Sequence, residues 1–223
     1  PRFGEIAAMT AFVNYPADDE ITKQFFALCD ARIIWGGDET VQSLRKIITP
    51  VRSVEIAFPD RYSFCVIDAA LVNALDEPSL AALAKNFFND TYLMDQNACS
   101  SPSLVVWLGK GGKETAQERF WAAVCRVATE KYDLDHFMAV EKFTLFCEDA
   151  IRFGGKERQE RPNHILSRTR LESLPADIEA LRGRFGHFYE YETEVLDELA
   201  PFVSARFQTL TFFGVEKMRL KEF

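Results

Sequence analysis

The fold of this chain is decided by residues 32–40, which read RIIWGGDET. The two isoleucines and the tryptophan at 33–35 predict a short strand over 32–35, and the two glycines turn the chain into a helix that ends near Pro50. Upstream, residues 6–13 predict a buried strand, and residues 20–29 predict a helix with Asp18 as its N-cap. This alternation of strand and helix is typical of βαβ units, and it predicts an α/β fold with a parallel sheet.

Beyond Pro50 the pattern becomes a more mixed alternation of strands and helices, so we expect a domain boundary there. Strands are predicted over 51–58, 63–67, 104–108, 188–192 and 207–213. Helices are predicted over 79–93, 115–131, 135–152 and 195–202. The predicted domains are therefore residues 1–50 and residues 51–223.

Composition excludes several classes of function. A net charge of -8 disfavours nucleic-acid binding, because no basic field would attract phosphates. No apolar run is long enough to span a membrane. The five cysteines are widely spaced and form no C-x-x-C pair, which predicts neither a metal site nor a disulfide framework and favours a reducing, cytoplasmic setting.

Cys99 is the candidate nucleophile. It lies in a loop of small residues between the predicted helix at 79–93 and the predicted strand at 104–108. Such a loop leaves a thiol accessible and surrounds it with backbone N–H groups, which is the setting that covalent catalysis by a thiolate requires. The other four cysteines lie in apolar periodic segments and are predicted to be core residues. The three histidines, His136, His164 and His187, are interpreted as structural.

Gly36 and Gly37 form a second candidate site. Glycines between a strand and a helix let the backbone approach a ligand, and the N–H groups of the helix N-terminus favour a phosphate. A tight turn requires glycine in any case, so the same pattern also fits a purely structural turn. Asp38 would repel a phosphate, and it is equally suited to cap the helix.

Four segments carry a resemblance to a known family. They read RIIWGGDET at 32–40, RYSF at 61–64, NACSSP at 97–102 and FQTLT at 207–211. In this order, and over nearly the whole chain, the sequence resembles the long-chain acyl-CoA reductases of the LuxC type, which supply fatty aldehyde in bacterial bioluminescence. That family belongs to the aldehyde dehydrogenase superfamily.

The resemblance implies an aldehyde dehydrogenase-like fold, in which residues 1–50 end a Rossmann-type nucleotide-binding domain and residues 51–223 form the α/β catalytic domain. Family members extend beyond both ends of this chain, so the first strands of the nucleotide-binding domain and a final segment are expected outside it. The implied reaction is reduction of a long-chain fatty acyl-CoA to the aldehyde through an acyl-cysteine thioester. The implied cofactor is NADPH, with NADH as the alternative. The implied partners are a fatty acyl-CoA or acyl-protein substrate, acyl-transferring subunits and further copies of the chain in a homo-oligomer.

The resemblance also assigns residues. Cys99 matches the catalytic cysteine, and Glu55 lies near the position of a glutamate base, although the spacing to the next basic residue differs. Gly183 stands where the superfamily carries a glutamate that binds the ribose. The residues expected to bind the cofactor are Gly36, Gly37, Asp38 and Phe185.

Two other functions fit the same residues. One is an acylating aldehyde dehydrogenase with a short-chain substrate. The other is a non-catalytic module that binds an acyl group or a partner subunit. Preferential alkylation of Cys99 over the other cysteines would separate an enzyme from an inert module.

Overall fold

The computed structural model describes residues 3–16, 18–155 and 157–222, and it divides the chain into two compact units. The first unit ends at Asp60 and the second begins at Arg61. The boundary therefore lies beyond the expected position near Pro50. The reason is strand pairing, because the strand that follows Pro50 is hydrogen-bonded within the first unit.

In its described residues, the first unit has three helices and two strands: α1 (Gly4–Ala8), α2 (Asp19–Leu28), β1 (Ala31–Trp35), α3 (Asp38–Arg45) and β2 (Val54–Phe58). Strands β1 and β2 are parallel, with Ala31 opposite Val54 and Trp35 opposite Phe58. The βαβ unit thus exists, but β1, α3 and β2 form it. Asp18 caps α2 as predicted, since its side chain accepts hydrogen bonds from the N–H groups of Glu20 and Ile21.

The strand predicted over residues 6–13 is wrong. Residues Gly4–Ala8 are helical, and the following residues have no regular structure. The N–H of Ala7 donates to the carbonyl of Phe3 at 2.9 Å, so the backbone groups are satisfied locally rather than by a neighbouring strand. The side chains of Phe12 and Val13 are exposed, so these apolar residues are not buried within this unit, although their apolar character had predicted a buried strand.

The second unit is built on one sheet with the strand order β5-β6-β7-β4-β3-β8, given for the described residues. All neighbouring strands are parallel except β5, which is antiparallel to β6. The strands are β3 (Tyr62–Asp68), β4 (Leu104–Leu108), β5 (Arg158–Glu160), β6 (Ser167–Leu171), β7 (His187–Thr193) and β8 (Phe207–Phe213). The helices are α4 (Ala69–Ala74), α5 (Glu77–Thr91), α6 (Lys113–Lys131), α7 (His136–Arg152) and α8 (Lys217–Glu222).

Two apolar clusters cover the faces of this sheet. On one face, the side chains of Trp107 and Phe188 pack with Phe120 of α6 and Phe87 of α5. On the other face, Tyr62, Phe64 and Tyr189 pack with short 3-10 segments such as Leu196–Phe202, which was predicted as a helix. Burial on both faces explains why these strands read as continuous apolar runs.

The short strand β5 was not predicted from the sequence. Its residues, Arg158–Glu160, are charged and polar, and they join the sheet as its antiparallel edge strand. Charged edge strands are a common device against strand addition from other chains. No helix within the described ranges is long and apolar enough to cross a membrane.

Candidate active site

Cys99 lies in a turn between α5 and β4. A short 3-10 helix, Tyr92–Met94, follows α5, and the N–H of Ser101 donates to the carbonyl of Ala98 at 2.9 Å to close the turn around Cys99. The thiol-bearing residue is exposed, as expected. Because the loop precedes β4, the site lies at the amino-terminal edge of the parallel sheet.

Two neighbouring strands hold Cys99 in place. The hydroxyl of Ser63, near the start of β3, donates to the carbonyl of Cys99 at 2.7 Å. The amide Nε2 of Gln208, near the start of β8, donates to Cys99 Sγ at 3.2 Å. The N–H groups of Cys99 and Ser100 have no hydrogen-bond partner within the described ranges. They are therefore available to an anion that forms beside the sulfur.

The loop before Cys99 is held in an unusual conformation. Outside glycine, the described part of the chain has three residues with positive φ: Asp95 at 54°, Gln96 at 58° and Phe185 at 55°. Asp95 and Gln96 precede Cys99, and the N–H of Phe185 donates to the carbonyl of Asp95 at 3.1 Å. All three strained residues therefore meet at the base of this loop. Such clusters are typical of functional sites, where the surrounding structure enforces them.

The buried side chain of Gln96 joins this loop to the segment before β7. Its Oε1 accepts from the N–H of Gly186 at 3.0 Å, and its Nε2 donates to the carbonyls of His187 at 2.9 Å and Pro102 at 3.2 Å. Cys99 and Phe185 are thus brought to the same part of the second unit. Phe185 itself is buried, with 5% of its surface exposed.

Gly183 has a packing reason to be glycine. A Cβ at this position would lie 2.0 Å from the carbonyl oxygen of His187 and 2.7 Å from Gln96 Nε2. No side chain fits there without moving the backbone. A glutamate at this position, as the resemblance implied for the superfamily, is therefore incompatible with the local packing of this chain.

The other cysteines do not all lie in the core. Cys65 is buried, and burial raises the pKa of its thiol to about 12. Cys125 is half-buried and accepts a hydrogen bond from Asn163 Nδ2 at 3.1 Å. Cys29 and Cys147 are exposed, so the prediction that they are core residues is wrong. Exposure alone therefore does not distinguish Cys99 from every other thiol.

His187 is a structural residue, as interpreted from the sequence. It is fully buried, its Nδ1 lies 2.8 Å from Ser167 Oγ, and its Nε2 lies 2.8 Å from Asp149 Oδ2. The hydroxyl of Tyr189 donates to the other oxygen of Asp149 at 3.1 Å. Both ring nitrogens are engaged inside the core, out of reach of a substrate.

Gly36 and Gly37 lie in the first unit, between β1 and α3. Gly37 is the N-cap of α3 and has no capping side chain, so Asp38 is the first helical residue rather than the predicted cap. The φ of Gly37 is -63°, which any residue can adopt, and a Cβ there would meet nothing within 4 Å. Local folding therefore does not require glycine at position 37. The open space fits the close approach of a dinucleotide to the helix N-terminus.

Glu55 is engaged in ion pairs within the first unit. Its carboxylate accepts from Arg32 Nε at 2.8 Å and from Arg45 Nε at 2.7 Å. The hydrogen bond from Arg45 lowers the pKa of Glu55, and the bond and charge of Arg32 act in the same direction. A carboxylate held in this way is a weak base, so its surroundings favour a structural role that ties β2 to β1 and α3.

A family comparison identifies the chain. The model of the family described as acyl-CoA reductase (LuxC) matches residues 3–129, which is more than half of the sequence. The chain belongs to the LuxC family of acyl-CoA reductases. No curated protein matches the sequence in a separate comparison.

Solved structures show that the LuxC-family chain has the fold of aldehyde dehydrogenases. An NAD-dependent benzaldehyde dehydrogenase from Corynebacterium glutamicum is 14% identical, with a TM-score of 0.62 over 93% of this chain and 47% of that chain. A 1-pyrroline-5-carboxylate dehydrogenase from Thermus thermophilus is 11% identical, with a TM-score of 0.59 over 92% of this chain and 43% of that chain. A gamma-glutamyl-gamma-aminobutyraldehyde dehydrogenase from Burkholderia cenocepacia is 13% identical, with a TM-score of 0.61 over 89% and 43%. The LuxC-family chain thus spans less than half the length of these structures.

Three of the four segments that carried the sequence resemblance meet around Cys99. Ser63 comes from the segment 61–64 and Gln208 from the segment 207–211, and both donate hydrogen bonds to Cys99 in the segment 97–102. The fourth segment, 32–40, forms β1 and the start of α3 in the first unit. In this LuxC-family chain, three of the four resembling segments therefore build one site.

Proposed function

We propose that the whole protein reduces a long-chain fatty acyl thioester, carried by CoA or by an acyl-transferring partner subunit, to the fatty aldehyde. The observation that carries this proposal is the exposed sulfur of Cys99 on a strained loop, with a donor side chain at 3.2 Å and two unpaired N–H groups among the described residues. Family membership supports an acyl-CoA substrate.

The first half of the reaction needs only the second unit. The thiolate of Cys99 attacks the thioester carbonyl, a new carbon–sulfur bond forms, and the carbonyl electrons move onto oxygen. The N–H groups of Cys99 and Ser100 would stabilise this oxyanion, a contribution of about 3 kcal/mol for each well-placed donor. When the carbonyl re-forms, the bond to the CoA sulfur breaks, CoA leaves as the thiolate, and the acyl group remains on Cys99.

The second half needs a reductant. A nicotinamide, when bound, would supply the hydride that the carbonyl carbon of the acyl-cysteine must receive. The same two N–H groups would hold the resulting oxyanion. The carbon–sulfur bond then breaks, the aldehyde leaves, and Cys99 is regenerated as the thiolate. We propose NADPH as the reductant, with NADH as the alternative.

The residues that would hold the cofactor are those at the N-terminus of α3. The backbone of Gly37 offers an N–H group and open space to a phosphate, whereas the N–H of Gly36 already donates to the carbonyl of Phe58 at 3.3 Å and a Cβ at Gly36 would lie 3.1 Å from Thr40. Asp38 and Glu39 place negative charge in the first turn. This balance favours contact by the backbone of Gly37 over contact by the helix side chains, and Gly36 would serve the tight turn that precedes it. Buried Phe185 would support the loop of Cys99 rather than expose its ring to the cofactor.

In this proposal the first unit, residues 1–60, is the C-terminal part of a nucleotide-binding domain, and residues 61–223 form the catalytic domain. The protein is proposed to act in the cytoplasm as a homo-oligomer.

Acylation of Cys99 tests the nucleophile. We expect that incubation with a long-chain acyl-CoA adds one acyl group to the full-length protein, and that Cys99→Ala removes this adduct. Intact-mass spectrometry followed by peptide mapping measures both results. Cys147→Ala is the matched control, because Cys147 is also exposed and should be dispensable. An adduct of unchanged yield in Cys99→Ala would eliminate Cys99 as the nucleophile.

A further inference from the structure

Strand β8 contains an irregularity next to Cys99. Tyr62 of β3 is opposite Phe207, but the next residue, Ser63, is opposite Thr209. Gln208 is therefore an extra residue on β8 with no partner in the β3 ladder. This is the arrangement of a β-bulge, which re-aims one side chain and recurs beside active sites.

Core packing on both sides of the bulge confirms the extra residue. The ring of Phe207 contacts the rings of Tyr62 and Phe64, with centroids 5.1 Å and 5.5 Å apart. Leu210 packs against the same apolar cluster. In a regular strand, residues three apart point to opposite faces. The bulge lets both Phe207 and Leu210 face the core. Because Gln208 is the extra residue, its side chain need not follow the alternation between the two faces of the sheet.

The released side chain contacts the reacting atom. Gln208 is exposed, and its Nε2 donates to Cys99 Sγ at 3.2 Å. A neutral thiol is a weak acceptor, whereas a thiolate is a strong one, so an amide donor at this distance favours the charged form of the sulfur. Ser63 lies on the neighbouring strand β3, opposite Thr209. Its hydroxyl donates to the carbonyl of Cys99 and so helps to keep the sulfur within reach of Gln208.

We infer that Gln208 is a catalytic residue that stabilises the Cys99 thiolate through its amide N–H. This inference rests on the proposed function of Cys99 as the nucleophile. It goes beyond that proposal because it assigns the activation of the sulfur to β8. The bulge leaves position 208 without a partner on β3, and the side chain of this unpaired residue is the one that contacts Cys99.

The test is the rate at which iodoacetamide alkylates Cys99 in the full-length protein, measured by peptide mass spectrometry from pH 5 to 10. In Gln208→Met, which keeps the length of the side chain but cannot donate, we expect alkylation at pH 7 to fall about tenfold, because the thiolate loses a hydrogen-bond donor. In Gln208→Glu, which can accept but not donate and adds a like charge, we expect at least as large a change. Cys147 in the same samples is the internal reference, because it is exposed and lies in the same unit.

Thr209→Val is the matched control on the same strand, and it should leave the rate profile of Cys99 unchanged. A wild-type profile in Gln208→Met, in protein that unfolds at the wild-type temperature, would overturn the inference. A wild-type profile in Gln208→Glu would also overturn it, because it would mean that the thiol donates to the side-chain oxygen. If Gln208→Met is unstable, the Gln208→Glu profile decides the matter.

Failure of the proposed function gives a different result. If acyl-CoA does not acylate Cys99 although Gln208→Met slows its alkylation, Gln208 does activate Cys99, but the proposed acyl-CoA substrate is wrong. If acylation occurs although the Gln208 variants alkylate normally, the nucleophile stands and the role of Gln208 is wrong.

Discussion

The residues that precede Cys99 hold conformations that are costly for L-amino acids. Positive φ values at residues such as Gln96 and Phe185 cost about 1–3 kcal/mol each, and a bulky ring at such a position is a clear outlier. The buried hydrogen bonds of Gln96 compensate, since they join three backbone groups from two segments of the chain. Gln96 therefore anchors the loop that carries Cys99, the proposed nucleophile.

Gly183→Ala tests this anchoring at the residue scale. The new Cβ would lie within 2.0 Å of the backbone oxygen of His187, so the turn must move and the contacts of Gln96 must change with it. We expect a loss of about 2 kcal/mol or more in the free energy of unfolding. Urea denaturation measures the change, and Gly111→Ala is the control, because a Cβ at Gly111 meets nothing within 4 Å. Equal stability of the two variants would show that the turn around Gly183 yields easily.

Among the elements, α7 is docked to the loop before β6 by the buried side chain of Lys142. Lys142 is 3% exposed, and its Nζ donates to the carbonyl of His164 at 2.9 Å. Burial lowers the pKa of Lys142 from 10.5 to about 7, and the nearby charge of Arg161 acts in the same direction. Near neutral pH the helix is therefore held by an amine that readily loses its charge.

The shift of Lys142 predicts a pH-dependent stability. Between about pH 7 and 10.5 the unfolded chain protonates this amine and the folded chain does not, so the unfolded state binds more protons and stability rises with pH. We expect the wild type to gain about 1–2 kcal/mol relative to Lys142→Met when the pH is raised from 7 to 9.

Urea denaturation of both proteins at the two pH values measures this difference. The exposed Lys131→Met variant is the control, and it should follow the wild type. A constant difference between the wild type and Lys142→Met at both pH values would contradict the shift.

At the scale of the whole molecule, the two units divide the proposed chemistry. The second unit contains Cys99 and the side chains that contact it, whereas the first contains the glycine turn at the start of α3. Acyl transfer and hydride transfer should therefore be separable by mutation.

Gly37→Val tests this separation. Since a Cβ at Gly37 meets nothing within 4 Å and the φ of -63° suits any residue, the variant should fold, and its side chain would occupy the space proposed for the cofactor. We expect at least a tenfold loss of acyl-CoA-dependent NADPH oxidation in the full-length protein, with little change in the acylation of Cys99. Stopped assays of the acyl adduct and of NADPH absorbance measure the two steps.

Gly111→Val is the control for Gly37→Val, because Gly111 is also a glycine with open space around it, but in the second unit. It should leave both steps intact. An equal loss of acylation and NADPH oxidation in Gly37→Val would mean that this glycine serves folding alone.

The amino-acid sequence by itself determined the order and type of most elements. Their periodicity is local, so the strand at β4 and the long helix α6 could be predicted within a few residues. The sequence also located Cys99 and the cap at Asp18, because a loop of small residues and an N-cap are local patterns. Family resemblance likewise depended on short segments that can be recognised without their neighbours in space.

Only the tertiary structure decided which residues surround Cys99, the proposed nucleophile. Ser63 and Gln208 are far from Cys99 in sequence, and they meet it because β3 lies between β4 and β8 in the sheet. A separate pairing, that of β2 with β1, places the boundary between the two units after Asp60. Parallel pairing joins strands that are far apart in the sequence, so local patterns do not predict it. A bulge of one residue also does not produce a repeating pattern that could be recognised in the sequence. For this reason the sequence predicted Cys99 as the nucleophile, but not that Gln208 contacts it.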